Sequence, residues 1–154
     1  MKICHWNVGK VDGEPFGTAK YENKIAETLS NSYGLNINRI QRSSRGFTST
    51  MPVSWLLRYR CQDYDLVHAT FQTVAPAAYI HRPFDFVVTV HDLAPLVYPS
   101  EIRNNSLRLQ WKLTPNSLEL ADKIIAISNY TKKEIERMTD IGSSKIEVVY
   151  QGVN

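Results

Sequence analysis

His68 and His91 each close an apolar run, the place from which an imidazole can reach a ligand. His91 follows Phe86 to Val90 (FVVTV) and is itself followed by Asp92. Imidazole can donate and accept a hydrogen bond near neutral pH. His91 is therefore the candidate for contact with a reacting hydroxyl, by hydrogen bonding or proton transfer. For Asp92 two readings stand level: it orients His91 or binds substrate, or it forms a turn. His68 reads as a partly buried histidine on the floor of a cleft, with substrate contact as its second reading. Gly17 stands just before a helical run that opens at Thr18. Free N–H groups at a helix start favour anions, and a missing side chain lets them approach; the plainer reading is a loop glycine. Ser128 opens another helical run and reads as its N-cap before it reads as a ligand group. His5 and His81 have no case beyond structure.

Other chemistries are excluded. Cys4 and Cys61 form no CxxC pair and no Cys/His cluster, so they read as reduced thiols and no zinc site is expected. No GxGxxG follows the first strand, which argues against a dinucleotide oxidoreductase. Arg39, Arg42, Arg45, Arg58 and Arg60 fall in a stretch without an acid, beside Trp55 and Leu56. That stretch suits an anionic lipid surface or a lipid-pyrophosphate acceptor, or else is a solvated basic loop before an ordinary helix. The net charge of +3 is too mild to argue for nucleic acid, and no nucleic-acid motif accompanies it.

These side chains need a scaffold, and the residue pattern supplies one. A chain of 154 residues suffices for one domain with a real core. A composition 43% hydrophobic and 21% charged is that of a globular protein. No apolar run is long enough to span a bilayer, and the N-terminus turns polar too soon for a signal peptide, so a cytoplasmic location is expected. Strands are predicted at 2–7, 35–40, 64–69, 86–90, 123–127 and 146–150. Helices are predicted at 18–32, 52–60, 74–80, 104–121 and 128–138. Tyr21, Ile25 and Leu29 recur every four residues and share one face of the first helix, which Gly34 is placed to end. Pro115 is a point of break or kink in the fourth. Near-continuous Val/Ile runs such as FVVTV, KIIAI and IEVVY belong to strands buried on both faces. Their alternation with helices gives an α/β fold: a doubly wound, mainly parallel sheet of about six or seven strands with helices on both faces. Ligands bind outside the carboxyl ends of such strands, where Gly17, His68, His91 and Ser128 fall.

Three blocks carry a family resemblance: VVTVHDLAPLVYPSE, LADKIIAISNYTKKEIERM and SSKIEVVYQGVN. In order and separation they resemble the N-terminal half of glycosyltransferase family 4, which includes mannosyl- and glucosyltransferases of cell-surface polysaccharide synthesis. The family pattern is a hydrophobic strand ending in His-Asp, then Ala-Asp before a hydrophobic strand and Ser. A Lys-Ile strand ending in Asn-Gly-Val-Asp follows. DYDLVHATF is a weaker match to a family strand that ends in His. Gly17 stands alone where the family usually has paired glycines, Gln151 replaces the commoner Asn or Pro, and Asn154 replaces Asp.

The resemblance implies one half of a GT-B fold. Residues 1–154 would be the N-terminal, acceptor-side Rossmann-like domain, with the C-terminal nucleotide-sugar domain lying beyond this sequence. It further implies a retaining transferase that moves a hexose, mannose by preference, from a nucleotide-diphosphate sugar to a glycan or lipid-linked acceptor. The two domains would close over both substrates. On that reading His91 is catalytic, and Gly17, Thr18, His68, Asp92 and Ser128 bind substrate. Arg42, Arg45 and Trp55 touch acceptor or membrane, as in an enzyme peripheral to the inner membrane face. No metal or other cofactor is expected, the nucleotide sugar being a substrate, and these residues alone are expected to be inactive. The alternatives are a non-catalytic acceptor- or partner-binding module and another GT-B enzyme, such as a nucleotide-sugar epimerase.

Overall fold

Six strands order the molecule: β1 (Lys2–Asn7), β2 (Asn36–Gln41), β3 (Leu66–Ala69), β4 (Phe86–Val90), β5 (Lys123–Ala126) and β6 (Ile146–Val148). The computed structural model describes residues 1–8, 17–41, 54–102 and 105–152. Between the strands run α1 (Thr18–Tyr33), α2 (Ala78–His81), α3 (Ala94–Val97), α4 (Asn105–Leu118) and α5 (Asn129–Met138). The sheet order is β2-β1-β3-β4-β5-β6, and every neighbouring pair is parallel, as the Val/Ile runs predict. The chain steps from β1 outward to β2, crosses back past β1 to β3, and then advances in one direction to β6. That reversal is a topological switch point, and it opens a crevice at the carboxyl ends of β1 and β3. Right-handed crossovers place α1 on one face of the sheet and the later helices on the other.

The two faces differ in chemistry because side chains alternate along each strand. Cys4, Trp6, Val67, Ala69, Phe86, Val88, Val90, Ile124 and Ala126 form one apolar cluster with Trp111 and Leu118 of α4 and Ile135 of α5. Trp6 lies within it, its ring 5.6 Å from that of Tyr59 and 5.5 Å from that of Phe86. Its indole N–H is not left unpaired: it donates to the Arg60 carbonyl at 3.1 Å. The α1 face is polar at its centre, where His5, Asn7, His68, Thr70 and Thr89 are all buried.

Helix α1 covers that polar face with a surprise in its register. Glu22 and Ala26 are its buried residues, while Tyr21, Ile25 and Leu29 are half-buried beside them. The apolar trio marks the right side of the helix but not its deepest line, because Glu22 finds hydrogen-bond partners beneath it. Gly34 ends α1 in the left-handed region (φ 62°), its N–H bonding the Ser30 carbonyl at 3.0 Å.

Elsewhere the helices depart from expectation where proline acts. Gln72–Ala77 is a 3-10 helix that runs into α2, with Pro76 inside it. α3 forms where no helix was predicted, with Pro95 in its first turn, a position that needs no N–H. α4 continues through Pro115. The hydroxyls of Thr114 and Ser117 bond the Gln110 and Thr114 carbonyls at 2.8 and 2.7 Å around it. In the segment 52–60, where a helix was predicted, Ser54–Arg58 form a 3-10 helix.

Candidate functional site

β4 delivers His91 one residue past Val90, at the carboxyl edge of the sheet beside the switch point. Its main chain is held on both sides. Gln72, itself buried, accepts from the His91 N–H through Oε1 (3.1 Å) and donates from Nε2 to the Asp92 carbonyl (2.7 Å). Thr131 of α5 donates from Oγ1 to the His91 carbonyl at 3.1 Å. The ring lies between Phe71, stacked at 5.0 Å, and Tyr21, edge-on at 4.9 Å.

The ring's partners fix its tautomer. Nε2 is 3.0 Å from the Thr70 carbonyl. A carbonyl only accepts, so Nε2 carries the proton and Nδ1 is bare. The Gln151 Nε2 stands 3.1 Å from that Nδ1 and donates to it. Burial lowers the His91 pKa from the usual 6.5, outweighing the Thr70 bond and the Asp92 and Glu22 charges that raise it. At pH 7 the ring is neutral and presents an acceptor.

Beneath His91 runs a chain of buried polar groups. His68 is 4% exposed, and its Nε2 lies 2.8 Å from Thr89 Oγ1, which in turn lies 3.1 Å from the Tyr21 hydroxyl. His5 meets His68 edge-on at 5.0 Å. Burial, with a contribution from Arg39, lowers the His5 pKa to about 4. Burial, with contributions from His5 and His91, lowers that of His68 to about 3. His68 therefore braces Tyr21 through Thr89 from below. Its side chain meets Thr89 and His5 on the α1 face of the sheet. Glu22 ties the crevice together: its Oε1 accepts from the Val8 N–H at 2.7 Å and lies 2.8 Å from Thr70 Oγ1. That joins the chain leaving β1 to the chain leaving β3.

The other candidates fall around this cluster. Gly17 is the N-cap of α1 with φ 52° and ψ −114°, a conformation that L side chains rarely adopt. Among the described residues no side chain caps α1, and no acid stands in its first turn, which Thr18 opens. A helix start carries partial positive charge on its first N–H groups. Gly17, Lys20, Tyr21, Tyr150 and Gln151 line a cavity of about 660 Å³ together with Ile25, Ile125, Ile127 and Val149. Tyr21 and Gln151 both touch His91, so the cavity adjoins it. A smaller cavity of about 280 Å³, lined by Lys2, Asn38 and Tyr64 among others, lies at the amino ends of β1 and β2 and includes none of these groups.

Asp92 is exposed, and its Oδ1 accepts from the Ala94 N–H at 3.2 Å, the bond of a turn that opens α3. Ser128 caps α5: its Oγ accepts from the Thr131 N–H at 3.0 Å, which sets Thr131 against the His91 carbonyl. Arg42 and Arg45 lie outside the described residues, and Trp55 belongs to the 3-10 helix Ser54–Arg58. Among the described residues no group of three His, Cys, Asp or Glu could hold a metal ion. Nor is any helix among them long and apolar enough to cross a membrane.

Gln72, Glu22, Tyr21 and Thr131 are the residues that sequence reasoning missed in this role. Gln72 had a signal: it is a lone amide in the stretch after β3, ahead of the apolar run VAPAA. Thr131 had one too, three residues after the cap Ser128. Glu22 had none, since a charged residue between Tyr21 and Ile25 reads as solvated.

A neutral imidazole and a helix N-terminus at the carboxyl edge of a doubly wound parallel sheet mark a Rossmann-like α/β domain, one half of a GT-B fold. The model of Glycosyltransferase Family 4 matches residues 17–154, from α1 through β6. The chain belongs to that family and is a glycosyltransferase domain. No curated protein matches it.

Proposed function

We propose that this domain forms the His91 wall of the transfer site in a retaining hexosyltransferase. The sugar, mannose in the first instance, passes from a nucleotide-diphosphate donor to a glycan or lipid-linked acceptor. The observation that carries this reading is His91 Nδ1, an unprotonated acceptor held beside a cavity that the N-terminus of α1 lines. A sugar hydroxyl donates to Nδ1. The first-turn N–H groups after Gly17 and Thr18 take the phosphate of the donor or of a lipid-linked acceptor. The exposed carboxylate of Asp92 serves an acceptor hydroxyl, and Ser128 acts through Thr131 on the main chain of His91. A second domain holds the rest of the nucleotide and closes over the crevice. Arg42, Arg45 and Trp55 draw the enzyme to the anionic inner face of the membrane. Transfer needs no metal.

The test is the full-length protein incubated with GDP-mannose or UDP-glucose and membrane lipid or glycan acceptors, with and without EDTA. The proposal predicts a glycoside with the donor's anomeric configuration by NMR, formed at the same rate in EDTA. An inverted product, or an epimerised nucleotide sugar without transfer, would remove it.

A further inference from the structure

We propose that Gln151 is a displaceable stand-in for the substrate hydroxyl on His91, an inference that rests on the transferase reading above. With Nε2 held by the Thr70 carbonyl, the ring offers one acceptor site at Nδ1, and only a donor group can fill it. The Gln151 carboxamide fills it now, its Nε2 at 3.1 Å. Its surroundings are those of a movable occupant. Gln151 is exposed, lies beyond β6 outside any regular element, and lines the 660 Å³ cavity. The groups that hold the ring itself are of another kind. Thr70 is buried and bonded to Glu22, while Tyr21 sits on α1 and is bonded to Thr89.

Two consequences follow from the donor requirement. A phosphate oxygen or a carbonyl, having no proton, is refused at Nδ1, so His91 reads a hydroxyl and not the charged part of a substrate. Gln151 in turn keeps the half-buried ring satisfied while the cavity is empty, and must leave before a hydroxyl enters. Gln151 is then a competitor whose removal strengthens sugar binding. A neutral hydrogen bond of this kind shifts an equilibrium by roughly two- to tenfold. The hydroxyl can belong to the donor sugar or to the acceptor, and binding separates the two.

The experiment compares the full-length protein with its Gln151→Ala variant by calorimetry and ligand-detected NMR. The probes are GDP-mannose, UDP-glucose, the bare nucleotides GDP and UDP, and methyl α-mannoside as an acceptor-side hydroxyl source. The variant should bind a nucleotide sugar or methyl mannoside roughly two- to tenfold more tightly, with the bare nucleotides unchanged. Whichever of the two tightens names the source of the hydroxyl. Long-range ¹H–¹⁵N spectra should show Nε2 protonated in both forms, with the Nδ1 signal moved only by the substitution. Weaker or unchanged sugar binding in the variant overturns the proposal, as does a proton on Nδ1. If the wild-type protein binds neither nucleotide sugar, the transferase reading falls and this proposal with it. Binding that Gln151→Ala leaves untouched removes the proposal alone.

Discussion

Gln72 grips the main chain on either side of the His91–Asp92 bond, one oxygen and one nitrogen each taking a different partner. Replacing it with Ala leaves a backbone N–H and a carbonyl without their partner, at a cost of about 1–3 kcal/mol in a thermal or urea melt. Gln72→Glu is the sharper variant. Its carboxylate still accepts from His91 but no longer donates to Asp92, so turnover should fall between wild type and Gln72→Ala. Equal activity in all three forms would show that the clamp does not position His91. His91 itself was legible in the sequence, because an apolar strand ending in His-Asp marks its own carboxyl edge. Gln72 and Glu22 were not. Reading by apolar periodicity passes over polar residues, and burial of these two is set by partners far along the chain, Asp92 and Thr70 among them.

At the scale of elements, α1 brings its N-terminus to the cavity beside His91. Gly17 reaches it through a positive φ that only glycine tolerates well, with nothing among the described residues within 4 Å of a would-be Cβ. Gly17→Ala therefore tests conformation rather than space. It should destabilise the domain by about 1–3 kcal/mol, the scale of one strained backbone residue. In the full-length protein it should also raise KM for the nucleotide sugar more than it lowers kcat. Unchanged stability and KM would show that the helix start needs no glycine. The strands were the most legible elements, because FVVTV and KIIAI are near-continuous apolar runs and carry no competing pattern. The short helical pieces were the least legible. A helix was expected at 74–80 and begins as the 3-10 helix Gln72–Ala77, whereas Ala94–Val97 was not expected, its Pro95 serving as a first-turn residue.

Across the whole molecule, one face of the sheet is apolar and the other is a buried polar row, and the second gives the fold a pH dependence. His5 and His68 take protons near pH 6.5 when unfolded but only at about 4 and about 3 when folded. Between those values the unfolded chain binds more protons, so stability falls as pH drops below 6.5. The slope is at most about 1.4 kcal/mol per pH unit for each histidine, and it vanishes above 6.5. Melts from pH 7 to 4 should show this decline, and His5→Gln should flatten it; an unchanged slope would contradict it. A second prediction concerns the surface: Arg42→Glu with Arg45→Glu should lower co-sedimentation with anionic liposomes, and no dependence on anionic lipid would remove the membrane contact. The central claim is that His91 acts on the reacting sugar from the edge of the parallel sheet. It is tested most directly by turnover and melting temperature of His91→Ala in the full-length protein. The account predicts a kcat lower by roughly 100-fold or more, with little change in melting temperature, since a crevice-edge ring leaves no large core cavity. Near-wild-type turnover, or loss of the fold in place of loss of activity, would contradict it.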